Sequence, residues 1–180
     1  MTIVFDGTTS AFHGSVSLSG PAFDDGVWER DLMQLPDLSN GLVAAVPDAM
    51  WLSTGSAHSE VRLTLELLPT APVRDDETWD MVVEVSVHLG GGTLENDDDP
   101  RMRLTPPAAG WYRLRASARG RSEAQEQDGA TEVHRIVLWP APPEAEQVIR
   151  HDGVRGGADR RPLPALGSDT HPVDLNGYYD

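Results

Sequence analysis

The chain has 180 residues, no cysteine and a formal net charge of −15 at pH 7, and all 14 of its basic residues are arginine. That length suits one domain with a real core, and the missing cysteines exclude disulfides, thiol catalysis and a cysteine-ligated zinc site. The acidic balance opposes binding to nucleic-acid phosphates or anionic lipid and favours basic partners.

In chain order, residues 2–6 (TIVFD) read as a short strand, 7–10 (GTTS) as a turn, and 12–18 as an alternating strand. The pattern breaks down over 20–40, where Asp24 and Asp25 could cap one or two helical turns across 27–34. Residues 41–46 and 49–53 are strand material separated by Pro47 and Asp48, which suit a tight turn or bulge. Over 60–68 Val61, Leu63, Leu65 and Leu67 share one face, and over 79–89 Trp79, Met81, Val83, Val85, Val87 and Leu89 do the same. Between these two strands lies a loop with Pro69, Pro72 and the acids Asp75, Asp76 and Glu77. A glycine turn at 90–92 leads to two short strand pieces, 93–95 and 101–104, flanking an acidic loop of Asp97, Asp98 and Asp99.

The pattern is organised around two strands, 111–119 and 132–139. In the first, Tyr112, Leu114, Ala116 and Ala118 alternate with Arg113, Arg115, Ser117 and Arg119, as expected of a half-buried strand. The second is apolar on both sides near its end, which suits a central position, and Pro140, Pro142 and Pro143 stop it. A polar turn joins the pair. Residues 144–151 suit a short helix, and 153–180 read as a Gly/Pro/Asp-rich tail. The expectation is an all-β fold: an antiparallel β-sandwich of about eight strands with one or two short helices, spanning residues 1–151, with residues 152–180 as a C-terminal tail.

The six histidines are scattered one per element and fall into no zinc-ligand spacing, although His88 and His134 could meet across a sheet. The run of Asp97, Asp98 and Asp99 lacks the glycine and the distal glutamate of a calcium loop. No nucleophile elbow and no phosphate loop is present. The reading is therefore of a protein that is not an enzyme and has no cofactor or metal. With no leader-like N-terminus and no membrane-length apolar run, a cytoplasmic location is expected. The outer face of the 111–119 strand carries an arginine stripe of Arg113, Arg115 and Arg119, continued by Arg121, with Trp111 at its end as an anchor. It reads either as cross-strand pairing with Glu84, Glu132 or Glu66, or as a partner-binding stripe.

The segments 41–46 (GLVAAV) and 50–52 (MWL), the alternating strand 60–68 and the segment 104–115 (LTPPAAGWYRLR) together resemble the competence protein J-like family over residues 3–139. The family's N-terminal Tyr–His–Gln signature has only a partial echo in Ala11, Phe12 and His13. The resemblance implies a small acidic β-sandwich that inhibits a partner DNA-entry nuclease. On that reading the protein is an inhibitor or immunity-type binder of a basic protein, a toxin or nuclease, without direct nucleic-acid or membrane contact. Asp24, Asp25, Asp75, Asp76, Glu77, Asp97, Asp98 and Asp99 are then the contacts, with Trp111, Arg113 and Arg115 beside them. The alternative is a structural or ligand-binding accessory module.

Overall fold

The computed structural model describes residues 2–21, 23, 40–58, 60–127 and 131–153. The eleven strands among the described residues form two packed sheets. They are β1 (Thr2–Ser10), β2 (Ser15–Ser19), β3 (Val43–Val46), β4 (Ala49–Ser53), β5 (Glu60–Leu67), β6 (Met81–Leu89), β7 (Leu94–Glu95), β8 (Arg103–Leu104), β9 (Gly110–Arg119), β10 (Val133–Pro140) and β11 (Gln147–Arg150). One sheet has the order β1-β5-β10-β9-β6-β11 and the other β3-β4-β2-β7-β8. The all-β sandwich is as expected, and β9 and β10 do pair at the centre of the larger sheet. Pairing is antiparallel throughout except between β5 and β10, which run parallel.

The inner faces supply the core. Leu63, Leu65, Val83, Val87, Leu114 and Leu138 of the larger sheet and Met50 and Leu52 of the smaller are all buried in one cluster. Each fully buried aliphatic side chain of this size contributes about 1.5–3 kcal/mol. Trp51 points to the other face of β4 and is still fully buried, its ring 5.4 Å from that of Phe23.

Several local expectations are corrected. Residues 7–10 continue β1 instead of turning, because they pair in register with residues 60–63 of β5. The turn comes later, at His13 and Gly14, both with positive φ (50° and 76°), closed by reciprocal backbone bonds between Phe12 and Ser15. Two consecutive positive-φ residues are what a tight hairpin in a right-twisted sheet requires. Pro47 and Asp48 do make a tight turn, with Asp48 at φ 58°. The buried Asp48 carboxylate accepts the Gly90 N–H at 2.6 Å and so ties this turn to the one after β6. The polar link between β9 and β10 contains a helix, α1 (Arg121–Glu126). The helix expected over 144–151 is instead the edge strand β11, antiparallel to β6. His88 and His134 do not meet: His88 is level with Trp111 at one end of β9, and His134 with Ala118 at the other. The helix expected over 27–34 and the tail lie outside the described residues, apart from Asp152 and Gly153 at the tail's start.

Two connections cross the outer face of the larger sheet. The link from β5 to β6, residues 68–80, must pass β10 and β9 to reach its strand, and it carries a single 3-10 turn at Asp76–Thr78. The link from β10 to β11, residues 141–146, passes over β9 and β6. These two straps explain why Arg113, Arg115 and Ser117 on the outer face of β9, expected to be solvent-exposed, are buried.

Candidate functional site

The arginine stripe is an internal layer. Arg113 and Arg115 are 2% and 5% exposed, beneath the second strap. Both share Glu84, which accepts from Arg113 Nε at 3.2 Å and Arg115 Nε at 2.8 Å. Arg113 also donates to the Ser86 hydroxyl and to the carbonyls of Glu144 and Ala145, which holds the strap on the sheet. The Arg115 guanidinium lies 5.8 Å from the Trp139 ring centroid. Arg113 and Arg115 thus make buried cross-strand ion pairs with Glu84, the pairing read from the sequence as one of the two alternatives for the stripe. Arg121 is likewise buried at the start of α1, where it donates to the Gly41 carbonyl at 2.7 Å and the Asp152 carboxylate at 3.1 Å. Arg119 is exposed and lies over the Trp79 ring. Trp111 is half-buried with its ring edge-on to His88.

The acidic loops divide in the same way. On the first strap, Asp75 accepts from Arg135 Nη1 at 2.8 Å, while Arg135 Nε donates to Glu66 at 2.6 Å. Charged hydrogen bonds to Glu66, and less strongly the field of Asp75, raise the Arg135 pKa above its usual value. This pins the strap from below, and Pro69 and Pro72 stiffen its start. Its outward side shows Val73, 90% exposed, with exposed Arg74 and Glu77 and half-buried Asp76. In the loop between β7 and β8, Asp97 and Asp98 are exposed. Asp99 is buried and accepts from Arg101 Nε at 2.8 Å and Nη2 at 2.7 Å. Those bonds hold its carboxyl below the usual range, against the opposing effect of burial. Asp99 is thus a positioning residue for its loop, together with Asn96, whose Oδ1 accepts the N–H groups of Asp98 and Asp99. No contact among the described residues joins the two acidic loops. Asp24 and Asp25 lie outside the described residues.

At the end of the sandwich near α1 the structure assembles groups that sequence spacing did not single out. Glu132 and His134 are both fully buried, with His134 Nε2 2.5 Å from Glu132 Oε1. The Glu132 carboxylate also accepts the Gly55 N–H, at 2.9 and 3.0 Å to its two oxygens. His13 and His58 lie on exposed loops at the same end. Only the two-residue offset of Glu132 and His134, which places both side chains on one strand face, hinted at any of this. Among the described residues no three histidines or carboxylates converge as a metal-ligand set.

Fold and surface define an acidic β-sandwich with braced, negatively charged loops. Two solved structures are similar to it. One is described as crocagin biosynthetic gene J, 16% identical, covering 79% of this chain and 100% of that one, with a TM-score of 0.51. The other is ComJ from Bacillus subtilis, described as an inhibitor of the DNA degrading activity of NucA, 13% identical, covering 76% of this chain and 96% of that one, with a TM-score of 0.47. At these identities the likeness concerns the fold alone. No family model and no curated protein matches the chain. No helix among the described residues is long and apolar enough to cross a membrane.

Proposed function

We propose that this protein is a non-catalytic acidic binder of the inhibitor or immunity type, whose partner is a basic protein such as a nuclease or toxin. The observation that carries this reading is the first strap. It is braced on its inner side by Arg135 and Glu66, and it carries an exposed apolar residue, Val73, followed by exposed Arg74, half-buried Asp76 and exposed Glu77. A small apolar anchor on a preformed loop with more acid than base suits a basic surface with a shallow apolar pocket, and pre-organisation lowers the entropic cost of binding. The second acidic element is the Asp97–Asp98 tip, held in place by Asn96 and Asp99. The net charge of −15 draws a cationic partner from a distance and can imitate a phosphate-rich substrate. The sequence resemblance to the competence protein J-like family implies the same class.

The test is capture of a basic protein on immobilised protein, with a salt step for elution, repeated with Asp76→Asn, Glu77→Gln, Asp97→Asn and Asp98→Asn combined. The expected result is a complex that wild type forms at low salt, releases as screening rises, and loses in the neutralised variant. A complex that is indifferent to both salt and neutralisation refutes the reading.

A further inference from the structure

The hairpin tip between β1 and β2 carries three observations that the proposed function does not use. His13 has a positive φ of 50°, in the left-handed region that histidine, like Asn and Asp, enters more readily than most side chains. The His13 ring faces that of His58, on the loop between β4 and β5, with centroids 5.4 Å apart. Phe12 is 58% exposed, yet its ring packs edge-on against both imidazoles, 4.2 Å from His13 and 6.0 Å from His58.

The two loops are fixed to one another by backbone. Gly14 N–H donates to the Ala57 carbonyl at 2.9 Å, and Thr54 N–H donates to the Gly14 carbonyl at 2.8 Å. The second loop is anchored beneath by the Gly55 N–H bonds to Glu132. The backbones that carry the two histidines are therefore held side by side by the fold, so little backbone ordering entropy remains to be lost when something binds between the rings.

We infer that His13 and His58 form a binding site for a divalent transition metal ion of the zinc class. A metal bound by two imidazoles at about 2.0–2.1 Å with a tetrahedral angle places the ring centroids about 5.2 Å apart. The observed centroid separation is close to that span, 5.4 Å with the two rings inclined at 66°. Imidazole is a preferred ligand of zinc, copper and nickel, and the strongly negative chain favours any cation at its surface. With two protein ligands the remaining coordination positions face solvent, open to water or to donors from a second molecule. The Phe12 ring walls one side and limits the rotation of both imidazoles.

The experiment is calorimetric titration of the full chain with zinc ion, alongside His13→Asn, His58→Gln and His88→Gln. Asparagine tolerates positive φ, so the first variant keeps the turn. Since both imidazoles are exposed, circular dichroism and Tm should match wild type. The expected result is one saturable site in wild type and in His88→Gln, lost in His13→Asn and in His58→Gln. Binding should also weaken on acidification, because protons compete for the imidazole lone pairs. No saturable binding to the intact chain, or equal binding by the His13 and His58 variants, overturns the inference.

Discussion

Replacing Glu84 by alanine tests the structure most directly, because it separates a buried ion-pair layer from an exposed arginine stripe. Glu84 is the shared counter-ion of Arg113 and Arg115, whose side chains are 2% and 6% exposed. Removing one partner of a buried ion pair costs about 3–5 kcal/mol, since the remaining charge stays in a poorly solvated place. Here two cations lose their partner. Arg113 keeps Ser86 and the carbonyls of Glu144 and Ala145, so Arg115 bears most of the loss. For a chain of this size about 1 kcal/mol moves Tm by roughly 2–4 °C, so the expected drop is about 6–20 °C. Asp6→Ala is the internal control. Its 2.6 Å bond to Arg62 is shorter than either arginine Nε bond to Glu84, but both side chains are nearly half exposed, and such pairs contribute about 1 kcal/mol at most. Urea unfolding of wild type and both variants gives the comparison, with an unchanged m-value showing that only stability has moved. If Glu84→Ala costs no more than Asp6→Ala, the straps do not seal the outer face and the burial argument fails.

Three further outcomes follow from the geometry. Gly55→Ala would place a Cβ 2.1 Å from the Arg121 carbonyl oxygen, displacing the loop and its hydrogen bonds to Glu132; a loss of roughly 1–3 kcal/mol or more in urea unfolding is expected. The Asp99 carboxyl is held below its usual range by Arg101, so its contribution is present above the unfolded-state pKa and is lost as pH falls through the folded-state value. Asp99→Asn should therefore lower Tm at neutral pH, with the gap to wild type closing in acid. Glu146 has the opposite sign: burial raises its carboxyl, outweighing the Asn40 hydrogen bond and the field of Arg113, so the folded state holds its proton more tightly. Glu146→Gln, whose amide oxygen can still accept from Asn40, should match or exceed wild-type Tm at neutral pH, with the advantage vanishing in acid.

The strands were legible because period-two alternation over 60–68, 79–89 and 111–119 is a direct imprint of a sheet with one buried face. What alternation could not convey was that the opposite face is buried as well. Arg113, Arg115 and Glu84 have the sequence signature of a solvated surface, and only the two straps, whose paths depend on strand order, convert it into an interior. The same ignorance of order hid the parallel pairing of β5 and β10. Residues 147–150 (QVIR) misled for a different reason: four residues are too few for a period, and the neighbouring alanine and valine suit a helix equally well. The buried Glu132–His134 pair and the exposed His13–His58 pair were hard to see because what holds each, the Gly55 N–H on Glu132 and the contact of two loops for the histidines, joins residues far apart in sequence.

The distribution of arginine bears on the proposed function beyond stability. Arg113, Arg115 and Arg121 are buried, Arg135 is held between Glu66 and Asp75, and Arg62, Arg101 and Arg103 each pair with a carboxylate. Most cations of the described chain are therefore committed to internal or local pairs. The acids without such partners, Glu77, Asp97 and Asp98 among them, project into solvent from braced loops. A protein that needed charge only for solubility would gain as much from interspersed signs. Pairing most of the positive charges leaves the loops net negative, the arrangement that speeds encounter with a basic partner and weakens as salt rises. The salt dependence of association is thus expected to follow the few exposed loop acids and not the total charge. Neutralising Glu77, Asp97 and Asp98 should flatten it far more than neutralising the same number of acids already paired with arginine, and equal slopes for the two sets would refute that division of labour.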